Sequence, residues 1–342
     1  MASYPPFNPP AFLRNPFVQS YLASTPFRAI GKNPMSEAAR EIIIKTPDGT
    51  RLQGFYSKHP ESAGLVLLIH GWEGSAGSTY VRSSGRYFFN RGYSVFRLNL
   101  RDHGESHHLN LGLFFGSLLQ EVVDAVDTIA AMEADRPFFM IGFSMGGNYV
   151  LRVAARAGQR PIHNLAHAAA VSPVIDPARA TRLIDARPAF RFYFLRKWRR
   201  SLAKKQNAFP GKYDFSEICR MDSIYQMTEE LLMRYSSFDS PDAYFSSYAI
   251  TDDALAPVRV PTTLITAKDD PIIPADDFEK LNVNDRVRLA MQDYGGHNGF
   301  IESLSLRVWY QPYILRLFTC QPRQYLISAP ILTGRFKFQK EN

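Results

Sequence analysis

The stretch that most constrains this chain lies at residues 136–150. A short apolar run, Pro137-Phe138-Phe139-Met140-Ile141, leads into Gly142-Phe143-Ser144-Met145-Gly146-Gly147 and then Asn148-Tyr149-Val150-Leu151. The run suits a buried strand, and the residues after Ser144 begin a helical pattern. Glycines two before and two after the serine permit a turn too tight for side chains. Such a turn would lift the Ser144 hydroxyl clear of a sheet and hold it at a helix N-terminus. Gly-x-Ser-x-Gly acquires its meaning as a nucleophile elbow only in that strand–turn–helix context. Elsewhere it is a glycine-rich turn with a surface serine.

Strand and helix patterns alternate around this motif. Residues 41–46 and 52–57, separated by Pro47-Asp48-Gly49-Thr50, read as a β-hairpin with Asp-Gly turn chemistry. The apolar run at 64–69 suits a strand covered on both faces and enters the loop His70-Gly71-Trp72-Glu73-Gly74-Ser75. A helix is expected over 79–91, a strand over 93–98 ending in Arg101-Asp102-His103-Gly104, and a helix over 118–131. After the elbow a short strand follows at 167–171. The pattern predicts an α/β chain with a mostly parallel central sheet and helices on both faces. Residues 176–257 break the rhythm with about 80 helical, aromatic-rich residues, far longer than an ordinary connection. They are expected to form a helical cap over the strand ends where open α/β folds bind ligands. Strands resume at 262–267 and 287–291, and a last helix is expected over 304–318.

The expected organisation is an arm at 1–40, a core at 41–175, the cap at 176–257, the rest of the core at 258–318 and a tail at 319–342. The arm holds seven prolines. Phe7, Phe12, Leu13, Phe17 and Phe27 are expected to lie against the body. A chain of 342 residues, 45% hydrophobic, can bury a core of this size. Cys219 and Cys320 make no disulfide framework, and the N-terminus lacks the pattern of a signal peptide, so a soluble, cytoplasmic protein is expected.

Eight of the forty basic residues fall between Arg187 and Lys205, where there is no acid, and the remainder balance the 32 acids. So local a charge speaks against a general nucleic-acid surface. Two readings stand for this run. One is a weak contact with an anionic membrane surface, with Phe190, Phe194, Trp198 and Leu202 as the apolar face. The other packs that stripe inward onto the cap, the commoner fate of such stripes.

Two later stretches supply the chemistry a serine needs. Lys268-Asp269-Asp270-Pro271 follows the strand at 262–267, and Gly295-Gly296-His297-Asn298-Gly299-Phe300 follows the strand at 287–291. Both should emerge on the sheet edge that carries Ser144, in the chain order serine, acid, histidine. A serine hydroxyl is a poor nucleophile until a base takes its proton, and His297 is the expected base. A buried carboxylate would fix the histidine's tautomer and stabilise its cation. Asp270 is expected in that role, ahead of Asp269, because it directly precedes the Pro271-Ile272-Ile273-Pro274 turn. The N–H groups of Trp72 and Met145 are the expected oxyanion donors. His70 and His103 read as structural, and adjacent His107 and His108 would point apart. No cofactor or metal is expected.

Taken with these motifs, the arm Phe7-Asn8-Pro9-Pro10 with Leu13-Arg14-Asn15 completes a resemblance. The chain resembles the α/β-hydrolases, and more narrowly the YheT-like branch of hydrolases, over residues 7–318. That branch has membrane-anchored, lipid-active animal relatives. In place of its usual Asn-x-Arg-Gly-Cys loop stands Asn99-Leu100-Arg101-Asp102-His103-Gly104, which leaves the fold and the Ser144, Asp270 and His297 set untouched but weakens the transfer of substrate preference. The resemblance implies hydrolysis of carboxylic esters with short- to medium-chain acyl groups, on a small ester or lipid-like substrate. Two alternatives share the fold: acyl transfer to an alcohol on the same residues, and a non-catalytic binding protein.

Overall fold

A computed structural model describes residues 4–319; the tail read at 319–342 otherwise lies outside the described residues. Its strands are β1 (Ala39–Lys45), β2 (Arg51–Ser57), β3 (Leu65–Ile69), β4 (Ser94–Leu98), β5 (Phe138–Phe143), β6 (Leu165–Val171), β7 (Thr262–Ala267) and β8 (Val287–Gln292). They form one sheet of order β1-β2-β4-β3-β5-β6-β7-β8. The hairpin β1–β2 and the β2–β4 pairing are antiparallel; every pairing from β4 to β8 is parallel.

The central strands β3, β4, β5 and β6 are buried at every position. Such strands require cover on both faces. Alternation along β3 shows how it is supplied. Leu65, Leu67 and Ile69 join a core with α4 (Leu119–Ala130) and α5 (Met145–Ala157), while Val66 and Leu68 join another with α3 (Thr79–Phe89) and α11 (Tyr310–Thr319). The four helices are amphipathic by sequence, and each lays its apolar stripe on the sheet.

Ahead of the sheet lie α1 (Pro16–Ser24) and the short α2 (Pro34–Glu37); α6 (Pro177–Asp185), α7 (Pro188–Ala208), α8 (Ile224–Tyr235) and α9 (Pro241–Ser246) fill the long insertion, and α10 (Ala275–Glu279) follows β7. Asn15 caps α1, its side chain accepting from Phe17 and Val18 N–H, and Asp176 caps α6 through Arg179 N–H. The insertion is joined to the core below it: Leu195, Leu202, Phe215, Leu231 and Phe245 are buried in the same cluster as Tyr149 and Val150 of α5.

Two local expectations change. The last helix starts at Tyr310, not near 304, because Leu306 adopts φ +57° and Ile301 bridges Val308, folding 301–308 into a loop. In the arm, Phe7 and Leu13 are buried against the body, but Phe12, Phe17 and Phe27 are exposed. Their segment is pinned through polar groups instead: buried Gln19 donates to Leu13 O and Ile301 O and accepts from Ile301 N–H. Among the described residues no helix is long and apolar enough to cross a membrane.

Candidate active site

Ser144 stands between β5 and α5 at φ +53°, ψ −117°, a conformation that costs a non-glycine residue on the order of 1–3 kcal/mol. Surrounding bonds impose it: Ser144 N–H donates to Val171 O at 2.9 Å, and its own carbonyl accepts from Asn148 N–H at 3.0 Å. The flanking glycines are sterically required. A Cβ on Gly142 would lie 2.1 Å from Gly146 O, and one on Gly146 would lie 2.3 Å from Ile69 O. Backbone from β3, β5 and α5 therefore meets at contact distance beneath the serine.

The loops after β7 and β8 bring the other two residues to it. His297 Nε2 lies 2.9 Å from Ser144 Oγ, and His297 Nδ1 lies 2.9 Å from Asp270 Oδ2. With Nδ1–H donating to the carboxylate, Nε2 is left to accept the serine proton. Asp270 Oδ1 accepts from Ile272 N–H at 2.8 Å and Ile273 N–H at 3.0 Å, so the following turn fixes its plane. Asp269 faces elsewhere: its Oδ1 accepts from Gly296 N–H at 2.9 Å and holds the histidine loop by its backbone. Burial pushes the Asp269 carboxyl above its ordinary range. His297 N–H in turn donates to Ser20 Oγ of α1 at 2.8 Å, so the arm supports the histidine loop directly.

The loop after β3 lies against the serine, since a Cβ on Gly71 would come within 3.1 Å of Ser144 Cβ. Met145 is the first residue of α5, where an N–H has no intrahelical acceptor. Trp72 sits between two tethered amides: Gly71 N–H donates to Tyr80 OH at 3.0 Å and Glu73 N–H to His103 Nε2 at 3.2 Å. Both histidines behind the loop are held neutral by burial, His70 pushed down to about 4 and His103 well below its ordinary value. Their partners fix the tautomers. His70 Nδ1–H donates to Gly71 O and Nε2 accepts from Leu100 N–H; His103 Nδ1–H donates to Arg101 O. His107 Nε2 lies 2.8 Å from Ser201 Oγ, a contact to α7.

Above the serine lies a cavity of about 110 Å³, lined by Ser144, Met145, His297 and Trp72 and, from the insertion, by Phe194, Trp198, Leu202, Leu231 and Tyr244. The α7 stripe thus faces inward: Phe194 stacks on Trp72 with ring centroids 5.3 Å apart, Trp198 meets it edge-on at 5.0 Å, and Leu202 is buried. Phe194, Trp198 and Leu202 are therefore not an apolar face turned to a membrane, while Phe190 stacks on Phe17 of the arm.

Three residues that motif reading passed over also line the cavity: Glu73, Asp102 and Lys205. Burial pushes the Glu73 carboxyl up to about 8. Lys205 Nζ donates to Asp102 Oδ1 at 2.7 Å, Asn110 O at 2.6 Å and Gly112 O at 2.9 Å, which uses all three of its protons. This buried pair ties α7 to the loop after β4. A lone lysine in a basic run carries no mark of burial, and only the fold identifies it.

Known proteins of similar sequence and shape agree with this architecture. Phospholipase ABHD3 of Bos taurus is 24% identical over 279 residues, 78% of this chain and 67% of that protein. Monoacylglycerol lipase of Saccharomyces cerevisiae is 23% identical over 296 residues, 81% of this chain and 62% of that protein. The solved structure of Pyrococcus furiosus esterase Pf2001 superposes with a TM-score of 0.54 at 19% identity, covering 93% of this chain and 98% of that one. The family model described as serine aminopeptidase S33 matches residues 60–302. A match over that much of the chain, on an eight-stranded sheet of this order, places the protein in the S33 hydrolase family of the α/β-hydrolase superfamily.

Proposed function

We propose that the protein is a serine hydrolase of carboxylic esters, with Ser144 as nucleophile, His297 as general base and acid, and Asp270 as the group that orients it. The observation that carries this reading is the hydrogen-bonded line from Ser144 Oγ through His297 to Asp270, opening onto an apolar cavity. Ser144 Oγ attacks the ester carbonyl as its proton passes to His297 Nε2. The N–H groups of Trp72 and Met145 receive the oxyanion, typically the largest electrostatic contribution in such reactions. Collapse breaks the C–O bond to the alcohol, which leaves with the proton from His297. Water, deprotonated by His297, then attacks the acyl-enzyme; the acyl–Oγ bond breaks, the acid leaves, and His297 returns the proton to Ser144 Oγ.

The cavity bears on the acyl group. At about 110 Å³ it is smaller than the ~150 Å³ engineered cavity that admits benzene, which suits short to medium chains. The inserted segment 176–257, read as a cap domain, supplies most of that apolar wall. The arm, loop and His297 motifs support placement in the YheT-like branch. Acyl transfer to an alcohol is a second reading, favoured by the aromatic wall of Trp72, Phe194 and Trp198 in the cavity that Ser144 lines, which limits water. The test is hydrolysis of p-nitrophenyl esters from acetate to palmitate. The expected result is an optimum at short or medium chains that is lost in Ser144→Ala. An optimum at palmitate would refute the size argument, and equal rates in the variant would refute the mechanism.

A further inference from the structure

Much of the exposed large-hydrophobic surface of this molecule is concentrated in one place. The arm segment from Phe12 to Ile30 exposes Phe12, Phe17, Val18, Tyr21, Phe27 and Ile30. Tyr21 is 73% and Phe27 72% exposed, although polar bonds hold the segment in place. The order of the segment and the exposure of its aromatics have different causes: buried Gln19 and Ala23 set the inner face of α1, and Phe17, Val18 and Tyr21 fall on the outer one. Apolar clustering on this scale marks an interaction surface, whereas single exposed residues do not.

The patch continues onto α7. Phe17 stacks on Phe190 with centroids 5.9 Å apart, and Phe192 and Tyr193 of the same turn are exposed. Beyond them on the same side, at successive i+4 positions from Phe192, come Arg196 and Arg200, both exposed. Among the described residues neither guanidinium has an ion-pair partner, whereas Lys204 and Lys205 are taken up by Glu105 and Asp102. The face lies beside the cavity: Ser20 of α1 holds the His297 loop, and Phe194 and Trp198 of α7 cover Trp72.

We propose that this face, built from α1, the turn after it and the outer side of α7, docks on an anionic lipid surface and brings the cavity mouth to it. Aromatic side chains flanked by unpaired arginines fit a bilayer interface, where rings enter the headgroup layer and cations meet anionic lipid. Charge argues against the chain's own tail as the occupant. Residues 320–342 carry Arg323, Arg335, Lys337 and Lys340 against Glu341, and basic would meet basic. The docking shares only Phe190 with the α7 stripe, whose other three residues line the cavity. It rests on the ester-hydrolase reading only for its consequence, access to esters held in a membrane.

Binding is therefore measured on full-length Ser144→Ala protein, so that its outcome does not depend on catalysis. Flotation with vesicles of equal parts phosphatidylcholine and phosphatidylglycerol is compared with pure phosphatidylcholine. Binding to the anionic vesicles is expected, weakened by high salt. It should fall at least about tenfold when Tyr21→Ser and Phe27→Ser are combined, and again in Arg196→Glu/Arg200→Glu. Circular dichroism melting checks that each variant is folded. Equal binding to both vesicle types, binding untouched by either pair of substitutions, or no binding at all would overturn the proposal. So would a concentration-dependent dimer in sedimentation that the same substitutions dissolve, since a second copy would then be the occupant. Failure of ester hydrolysis with vesicle binding intact would count against the ester-hydrolase reading alone.

Discussion

Asp269 and Asp270 are adjacent in the chain, yet the turn after β7 sends them to different tasks. Asp270 Oδ2 meets His297 Nδ1 while Asp269 holds Gly296 N–H. Asp270→Asn should lower kcat about 10⁴-fold by favouring the wrong tautomer of His297. Asp269→Asn should cost about tenfold or less, through a loosened loop. Steady-state kinetics on one ester compares the two, and similar losses would contradict the division of labour. His167, buried in β6 beside Thr263, offers a pH test. Burial pushes it down to about 3, so the folded protein holds it neutral while the unfolded chain protonates it near 6.5. The unfolded state then binds more protons below pH 6.5, and the stabilising share of neutral His167 shrinks as pH falls from there towards 3. The stability difference between wild type and His167→Asn should therefore shift against the wild type by about 1.4 kcal/mol per pH unit across that window. Denaturant unfolding at pH 7.5 and 5.5 measures it, and a constant difference would contradict it. At this scale the meeting of Ser144, Asp270 and His297 was legible from motif and chain order. Glu73, Asp102 and Lys205 were not, because nothing local distinguishes an ionisable group that lines a cavity from a solvated one.

Among the elements, α7 shows what period and charge can and cannot convey. Its apolar spacing was readable, and the inward turn of Phe194, Trp198 and Leu202 follows from the cavity they help close. Its charges were readable only as a sum. Arg196 and Arg200 face outward, whereas Lys205 ends in a buried pair with Asp102 and two carbonyls. Removing one partner of such a pair strands the other: Lys205→Met should destabilise by about 3–5 kcal/mol. Adding Asp102→Asn should recover part of that loss. A double-mutant cycle by denaturant unfolding measures the coupling, and additive effects would show that the pair does not hold α7 to the loop after β4. The arm shows the converse. Its aromatics suggested burial, but a residue is buried only where a partner surface exists, and Gln19 rather than Phe17 found one.

For the molecule as a whole, the sheet was the most legible part, because strands buried on both faces read as unbroken apolar runs and turns end them at glycine. The meeting of the loops after β5, β7 and β8 at one edge was also expected; less legible were the contacts that join them, between residues up to 153 positions apart. This edge is proposed to make Ser144 a nucleophile, a role that the Ser144–His297–Asp270 line supports. It is tested most directly by treating the folded protein with a fluorophosphonate and locating the adduct by peptide mass spectrometry. A single adduct on Ser144 is expected, absent in Ser144→Ala and slowed in His297→Ala. A folded wild-type protein that takes no label, or takes it on another residue, would contradict it.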